Sequence, residues 1–490
     1  MEEQFKIRLE KLKKLEDMGV ETYPYEFKKS ESFIDIKREC KDTTNEEFEK
    51  KEKIVRIAGR ITAIRKMGKS SFLHLFDGEE KLQVYIKKDI VSEKDFQVFK
   101  LLDIGDIIGV KGKLFKTHTN ELTVVVSELK FLTKSFHPLP EKWHGLQDKE
   151  LRYRQRYLDL IVNENSRKIF QLRSSMIQKI RIFFYENGYK EVETPMMHSI
   201  PGGASAKPFV THHNALNIDL FLRVAPELYL KRLLVGGVEK VFEINRNFRN
   251  EGIDLMHNPE FTMIEWYQLY KDFNASMELT EELIEILNDD FSKDGYITWQ
   301  EKKISMKSPF KRYKFMNLIS DKSGMQVDNL WNEEKLKDFI IENISDVEMP
   351  PTYGKMLELM FDTYVQNTLI EPTFVTYYPK IISPLSKVSR LDKRETERFE
   401  LYIAGVEIAN GFSELNDPID QRKRFEDQKR DRKMGDDEAQ LIDNDFLKAL
   451  EYGMPPATGE GLGIDRLVMI YSGAPSIKEV ILFPLLKPKE

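Results

Sequence analysis

The sequence predicts an α+β protein in two parts: a small five-stranded β-barrel, then a larger domain of helices on an antiparallel sheet. Three observations carry that prediction. Short runs of alternating apolar and polar residues fill the stretch from Lys53 to His137, the period of half-buried strands. Beyond it, long amphipathic helices mix with strands without a βαβ rhythm or a glycine-rich dinucleotide fingerprint, which argues against a doubly wound parallel sheet. The 490 residues also exceed what one hydrophobic core usually supports.

The first element is a basic helix. Phe5, Leu9, Leu12 and Leu15 recur at helical spacing among Lys6, Arg8, Lys11, Lys13 and Lys14, and Gly19 is a candidate C-cap. Its apolar stripe either docks on the next domain or presents the basic face to a nucleic acid. Residues 1–50 are read as this helical extension.

The barrel is expected over 51–137. Val55, Ile57, Ile61 and Ala63 alternate with polar neighbours, as do Leu73 and Leu75, and Leu82, Val84 and Ile86, with turn signals at Asp77-Gly78 and Asn120. Five strands in so short a stretch suggest a barrel of the OB type. With Leu73 and Leu75 inward, Phe72, His74 and Phe76 face outward, and Gln83 and Tyr85 oppose Leu82, Val84 and Ile86. Exposed rings among Arg65, Lys66 and Lys69 can stack unpaired bases and follow phosphates; the competing reading buries one or two of them under the N-terminal helix. Lys53–His137 holds 16 Lys and Arg against 10 Asp and Glu, in a chain of net charge −6. That local excess marks it as the nucleic-acid side.

A linker, 138–150, carries Pro138 and Pro140. The larger domain, 151–490, opens on the charged run Arg152–Tyr157. A helix marked by Ile169, Leu172, Met176, Ile180 and Phe183 follows, ending at Gly188. Composition excludes some classes. With 41% apolar and 32% charged residues the chain reads as globular. A single cysteine, Cys40, builds neither a disulfide framework nor a cysteine-rich zinc site. No apolar run is long enough for a membrane span, and a cytoplasmic protein is expected.

Three segments of the larger domain carry chemistry. One is the helix 166–187 leading to Glu193-Thr194-Pro195. Another is Phe248-Arg249-Asn250-Glu251 followed by His257-Asn258-Pro259-Glu260-Phe261, expected on two antiparallel strands. The third is Gly459-Glu460-Gly461-Leu462-Gly463-Ile464-Asp465-Arg466. An arginine can neutralise charge as a carboxylate attacks phosphorus. A ring gives adenine a stacking surface, and glycines admit close backbone approach. Together these segments resemble the three signature motifs of class II aminoacyl-tRNA synthetases.

The resemblance implies an OB-fold anticodon-binding domain and a class II catalytic domain, with the first segment at a homodimer interface. It makes Arg249, Glu251 and Arg466 catalytic, with Arg249, Glu251, His257, Asn258, Phe261, Glu400, Glu407 and Arg466 on ATP. Glu400 and Glu407 would hold Mg2+ against the phosphates. Within the class, 243–252, 257–265, Pro201-Gly202-Gly203-Ala204, Ala225-Pro226-Glu227-Leu228 and 410–414 resemble bacterial lysyl enzymes. A lysine ammonium needs carboxylates where an aspartate pocket needs cations. By that resemblance Glu414 and Tyr267 receive the ε-ammonium with Glu265 nearby, and Phe412 packs on the stem. Gly203 and Glu227 take the α-amino group, and Arg249 with Asn410 hold the carboxylate. In the barrel Arg65, Phe72, Gln83 and Glu121 match positions that read the anticodon of tRNA(Lys).

The resemblance spans roughly 50–490 and is absent over 291–308 and 344–355. Lys66-Met67-Gly68-Lys69-Ser70 imitates a P-loop and a class I signature loop. It lacks the glycine five positions before Gly68, where Ala63 stands, and it has no class I partner motif. The expected activity is ligation of L-lysine to tRNA(Lys) through an ATP-derived lysyl-adenylate. The rivals are a paralogue that lysylates a protein factor and a non-catalytic RNA-binding protein on the same scaffold.

Overall fold

The computed structural model describes residues 2–140, 146–345, 347–436 and 440–488. Residues 141–145 of the expected linker therefore lie outside the described residues. The chain forms two compact units, Met1–Arg167 and Lys168–Glu490.

The first unit holds the barrel. Five strands, β1 (Ile54–Met67), β2 (Ser70–Phe76), β3 (Lys81–Lys87), β4 (Ile107–Lys116) and β5 (Leu122–Thr133), close in the order β1-β2-β3-β5-β4. The P-loop imitation is the hairpin turn between β1 and β2, with Gly68 at φ +61°. The expected turn at Asp77-Gly78 is fixed by the Asp77 carboxylate, which accepts from the backbone N–H groups of Glu79 and Glu80.

The helix Glu2–Asp17 docks on this unit rather than standing free. Leu12 and Leu15 are buried, and the Arg8 guanidinium donates to the carbonyls of Ile104 and Ser135 at 3.2 and 2.7 Å. Two outward assignments fail: Phe76 is only 6% exposed and Gln83 only 8%, the latter closed in by its bonds to Glu121 and Thr123. Phe76 has the clearer cause. Its ring is covered by the guanidinium of Arg167, 4.6 Å from the ring centre, and not by the N-terminal helix. Alternation names the face of a strand but not what later folds over it.

The second unit is built on an eight-stranded sheet. Its strands are β6 (Lys190–Glu191), β10 (Lys240–Phe248), β11 (Glu260–Leu269), β14 (Lys311–Lys314), β15 (Thr373–Thr376), β16 (Arg398–Ile403), β17 (Val406–Ser413) and β18 (Ala457–Gly463). Between them in sequence lie a three-stranded sheet, β7 (Met197–His198), β8 (Val210–His213) and β9 (Ile218–Leu222), and a hairpin, β12 (Tyr296–Trp299) and β13 (Lys302–Ser305). The large sheet runs β14-β15-β16-β17-β18-β11-β10-β6, antiparallel except at its two outer pairs.

One face of this sheet is dry. Phe242, Ile264, Trp266, Leu401 and Leu462 meet Met176, Ile180 and Phe184 of the helix Glu164–Glu186, with Leu283 and Leu287 of Phe273–Phe291 and Leu467 of Ile464–Ser472. Because strand side chains alternate, the neighbours Glu265, Tyr267, Gly459 and Gly461 face the other way. That second face carries the site.

Candidate active site

A cavity of about 320 Å³ opens over the second face. Its wall gathers fourteen of the fifteen residues picked from the sequence in this domain, Glu414 alone excepted. The antiparallel pair β10–β11 accounts for many of them. Its register sets Phe248 opposite Glu260, so Arg249 leaves the strand just where the connecting loop begins. β18 then delivers its glycines beside β11, and the helix that follows presents Arg466 from its first turn.

At the basic end a chain of polar contacts ties the second and third motifs to each other and to Glu407. Arg466 Nη1 donates to the Glu407 carboxylate at 3.1 Å, and Arg466 Nη2 lies 3.0 Å from His257 Nε2. A guanidinium can only donate, so Nε2 accepts and the His257 proton sits on Nδ1. That proton is directed at Asp254, 2.8 Å away. Burial opposes ionisation of Asp254, but the hydrogen bonds from His257 and the loop backbone hold its carboxyl below the usual range. Arg249 lies over the Phe261 ring at 5.1 Å, and its buried Nε has no hydrogen-bond partner. Asn258 is buried, donates to the Glu260 carbonyl and leaves its Oδ1 unpaired. Glu251 is exposed on the loop at the cavity rim.

Glu400 is held from three sides. Arg398 Nη2 donates to Oε1 at 2.5 Å, and the hydroxyls of Tyr378 and Tyr402 donate to Oε2 at 2.7 and 2.6 Å. About one of its four lone-pair positions is left. Glu407 stands close enough that the two charges oppose each other. Among the described residues no cluster of three or more His, Cys, Asp and Glu forms a closed metal cage. Two carboxylates nonetheless suit a hard ion that keeps phosphate and water ligands.

The acidic end is deeper. Glu227, Glu265 and Tyr267 are buried, at 7%, 5% and 3% exposure. The Tyr267 hydroxyl donates to Glu265 at 3.1 Å. Burial, then the Glu227 charge, pushes the Glu265 carboxyl up to about 8. Asn410 accepts from Arg398 Nε through Oδ1 at 2.9 Å, which leaves its amide N–H groups to donate. Phe412 lines the wall, and at Gly203, φ +92°, an added β-carbon would come within 3.0 Å of the Glu227 β-carbon. Glu414 lies behind the wall, fully buried beside Tyr267 and Gly459. A side chain at Gly459 would overlap the Tyr267 ring and the Glu414 carboxylate. This glycine therefore makes room for the protein's own side chains, and with Gly461 and Gly463 it also lines the cavity.

Two residues escaped the sequence reading. Arg398 binds both Glu400 and Asn410, and its place two before Glu400 on one strand was an available signal. Lys231 is paired with Glu227 and Glu414, and its i+4 spacing from Glu227 was another.

In the barrel the four sequence-picked residues share one face. Arg65, Phe72 and Tyr85 form successive rungs of the ladder, and the Phe72 and Tyr85 rings are 4.7 Å apart. Gln83 donates to Glu121 at 2.7 Å and accepts from Thr123 at 2.9 Å. Glu121 also meets His74 at 3.0 Å.

Comparison with known proteins agrees with both halves. The family of class II tRNA synthetases (D, K and N) matches residues 148–487, and the OB-fold nucleic acid binding domain matches 55–132. A lysine–tRNA ligase of Moorella thermoacetica is 49% identical over 99% of this chain and 98% of its own length. Those of Halalkalibacterium halodurans and Bacillus subtilis are 48% and 47% identical, over 99% and 100% of this chain and 97% and 98% of theirs.

Proposed function

The chain belongs to the class II tRNA synthetases of the D, K and N group, and from that membership we propose that it ligates L-lysine to tRNA(Lys) at the expense of ATP. The observation that carries the choice of amino acid is the buried acidic end of the cavity. Glu227, Glu265 and Tyr267 line it, and Glu414 lies directly behind. An aspartate or asparagine side chain there would meet carboxylates where it needs donors.

On this reading the lysine carboxylate is held by Arg249 and Asn410, its α-amino group by Gly203 and Glu227, and its ε-ammonium by Tyr267, Glu265 and Glu414. Adenine stacks on Phe261, and His257, Glu251, Asn258 and Arg466 take the rest of the nucleotide. The lysine carboxylate attacks the α-phosphorus, pyrophosphate leaves, and Arg249 offsets the developing charge. A ribose hydroxyl at the tRNA 3′ end then attacks the acyl carbon and AMP leaves. The protein supplies position and charge, not a covalent nucleophile. Glu400 and Glu407 are the residues that would hold Mg2+. Such an ion neutralises charge on the pyrophosphate oxygens when bound.

Residues 51–137 are the proposed anticodon domain, with Arg65, Phe72, Gln83 and Glu121 on the bases, and 151–490 the catalytic domain. The OB-fold match favours tRNA over a protein factor as acceptor. A homodimer is proposed through the Glu164–Glu186 helix and the strand after it, where Ile182, Tyr185, Met196 and Met197 are exposed. No helix among the described residues is long and apolar enough to cross a membrane. The single cysteine suits a reducing cytoplasm.

The test is ATP–pyrophosphate exchange with each of the twenty amino acids, then charging of tRNA. Exchange with lysine alone, followed by lysyl-tRNA formation, is the expected result. Exchange with aspartate or asparagine would overturn the pocket reading and leave the class intact.

A further inference from the structure

Lys231 does not line the cavity, yet it touches both halves of the acidic end. It lies on the helix Glu227–Val235, four residues after Glu227 and so on the same face. Its side chain is wholly buried. The ammonium is ion-paired with Glu227, lies 2.5 Å from Oε2 of Glu414 and stands 5.0 Å from the Phe412 ring centre. Those two carboxylates are the ones that the lysine reading gives to the α-amino and ε-ammonium groups.

The charges facing this pocket can be counted element by element. The helix brings Glu227 and Lys231, β11 brings Glu265 with Tyr267, and the residue just after β17 is Glu414. Arg398 on β16 is committed to Glu400, and Arg223 to Glu243 at 2.7 Å. Tyr267 stays neutral, because burial holds its phenol far above the usual range. When fully ionised the pocket therefore carries three negative charges and one positive.

We infer that Lys231 is a positioning residue that sets the charge of the amino-acid pocket, spacing Glu227 from Glu414 and leaving two unmatched negative charges. Two is the number that a substrate with two ammonium groups neutralises. An amino acid with a single ammonium leaves one of these carboxyls to keep its proton, and so forgoes an ion pair that a two-ammonium substrate makes. The inference rests on the lysine reading, which deepens here into a rule of charge matching. It also gives the Lys231 ammonium a role distinct from tying a helix to a strand.

The experiment measures lysine-dependent pyrophosphate exchange against pH for the full-length wild type, K231M and K231Q, with KM for lysine and for ATP determined separately. Without the resident cation, Glu227 and Glu414 hold protons to higher pH and grip ammonium less well at neutrality. In both variants KM for lysine should rise about tenfold or more at pH 7, with KM for ATP within about twofold. The acidic limb of kcat/KM for lysine should move up by about one pH unit or more. Gln keeps hydrogen-bonding groups but no charge, so K231Q must follow K231M, and it carries the test alone should K231M fail to fold. The inference is overturned if K231Q behaves as wild type. It is equally overturned if kcat and thermal stability fall and both KM values rise together with the limb unmoved. Wild-type exchange with lysine is the control. Its absence removes the lysine reading and this inference with it, whereas its presence with unshifted variants removes the inference alone.

Discussion

Lysine binding should release about one proton, and the carboxyl that releases it is Glu265. Its only hydrogen bond among the described residues comes from Tyr267, and no cation lies within ion-pair distance. Burial, then the neighbouring Glu227, pushes it up to about 8. At pH 7 such a group is roughly nine-tenths protonated in the empty pocket. An arriving ammonium favours the charged form and expels the proton. Lysine affinity should therefore rise several-fold or more between pH 6 and 8 and little above. Calorimetric titration of lysine at pH 7 in two buffers of different ionisation enthalpy reads the proton count directly, with about 0.9 expected. A count near two would assign a second proton to Glu414, also pushed up to about 8 by burial and by Glu227 and Glu265 despite Lys231. Binding that neither releases a proton nor changes between pH 6 and 8 would refute the reasoning. E265Q should abolish the pH slope together with much of the affinity.

Arg249→Ala should cut lysine-dependent pyrophosphate exchange by about 100–1,000-fold without unfolding the protein, and near wild-type exchange would sink its assignment. Phe72→Ala should weaken tRNA binding by about 1–3 kcal/mol while exchange, which needs no tRNA, stays unchanged. Unchanged charging at low tRNA concentration would show that Phe72 does not stack on a base. Glu460, buried on the dry face and bonded by the Thr280 hydroxyl at 2.7 Å, is pushed by burial from 4.5 to about 8. Its folded pKa is the higher one, so its share of stability is complete below about pH 4.5 and is lost as pH rises through about 8. Glu460→Gln removes a cost that reaches about 4–5 kcal/mol at most above pH 8. Thermal unfolding should show the variant gaining far more over wild type at pH 8.5 than at pH 5.5, and equal gains would contradict the buried neutral carboxyl.

Much of this was legible because strands alternate and motifs are local. Leu73 and Leu75 inward, the turn at Asp77-Gly78, and Arg249 at the end of a hairpin strand all follow from spacing within ten residues. What escaped was non-local. Phe76 alternates as an outward residue, but Arg167, 91 positions later, closes over it. Glu414 and Gly459 are 45 positions apart, and only the register of β17 on β18 shows that the glycine clears space for the carboxylate and for Tyr267. Lys231 and Arg398 lay within reach of the spacing rules. They were passed over because a cation beside an acidic residue is the commonest of surface patterns.

The two missed cations explain how one cavity tolerates a basic end and an acidic end together. Many of the charges around it already have a counter-charge from the protein. Arg398 faces Glu400, Lys231 faces Glu227 and Glu414, Arg466 faces Glu407, and Arg223 faces Glu243. Breaking a buried pair of this kind leaves an uncompensated charge, so each pair stabilises the empty site. Among the acidic and basic residues proposed to meet the amino acid, two have no ion-pair partner among the described residues: Arg249, whose buried Nε is unpaired, and Glu265, which burial pushes toward its protonated form. They lie at opposite ends of the place where the amino acid is proposed to bind. On the proposed reading one takes a carboxylate and the phosphate it attacks, the other an ammonium. A substrate offering only one of those groups leaves the other end unsatisfied, so the site selects an amino acid carrying both before any chemistry begins.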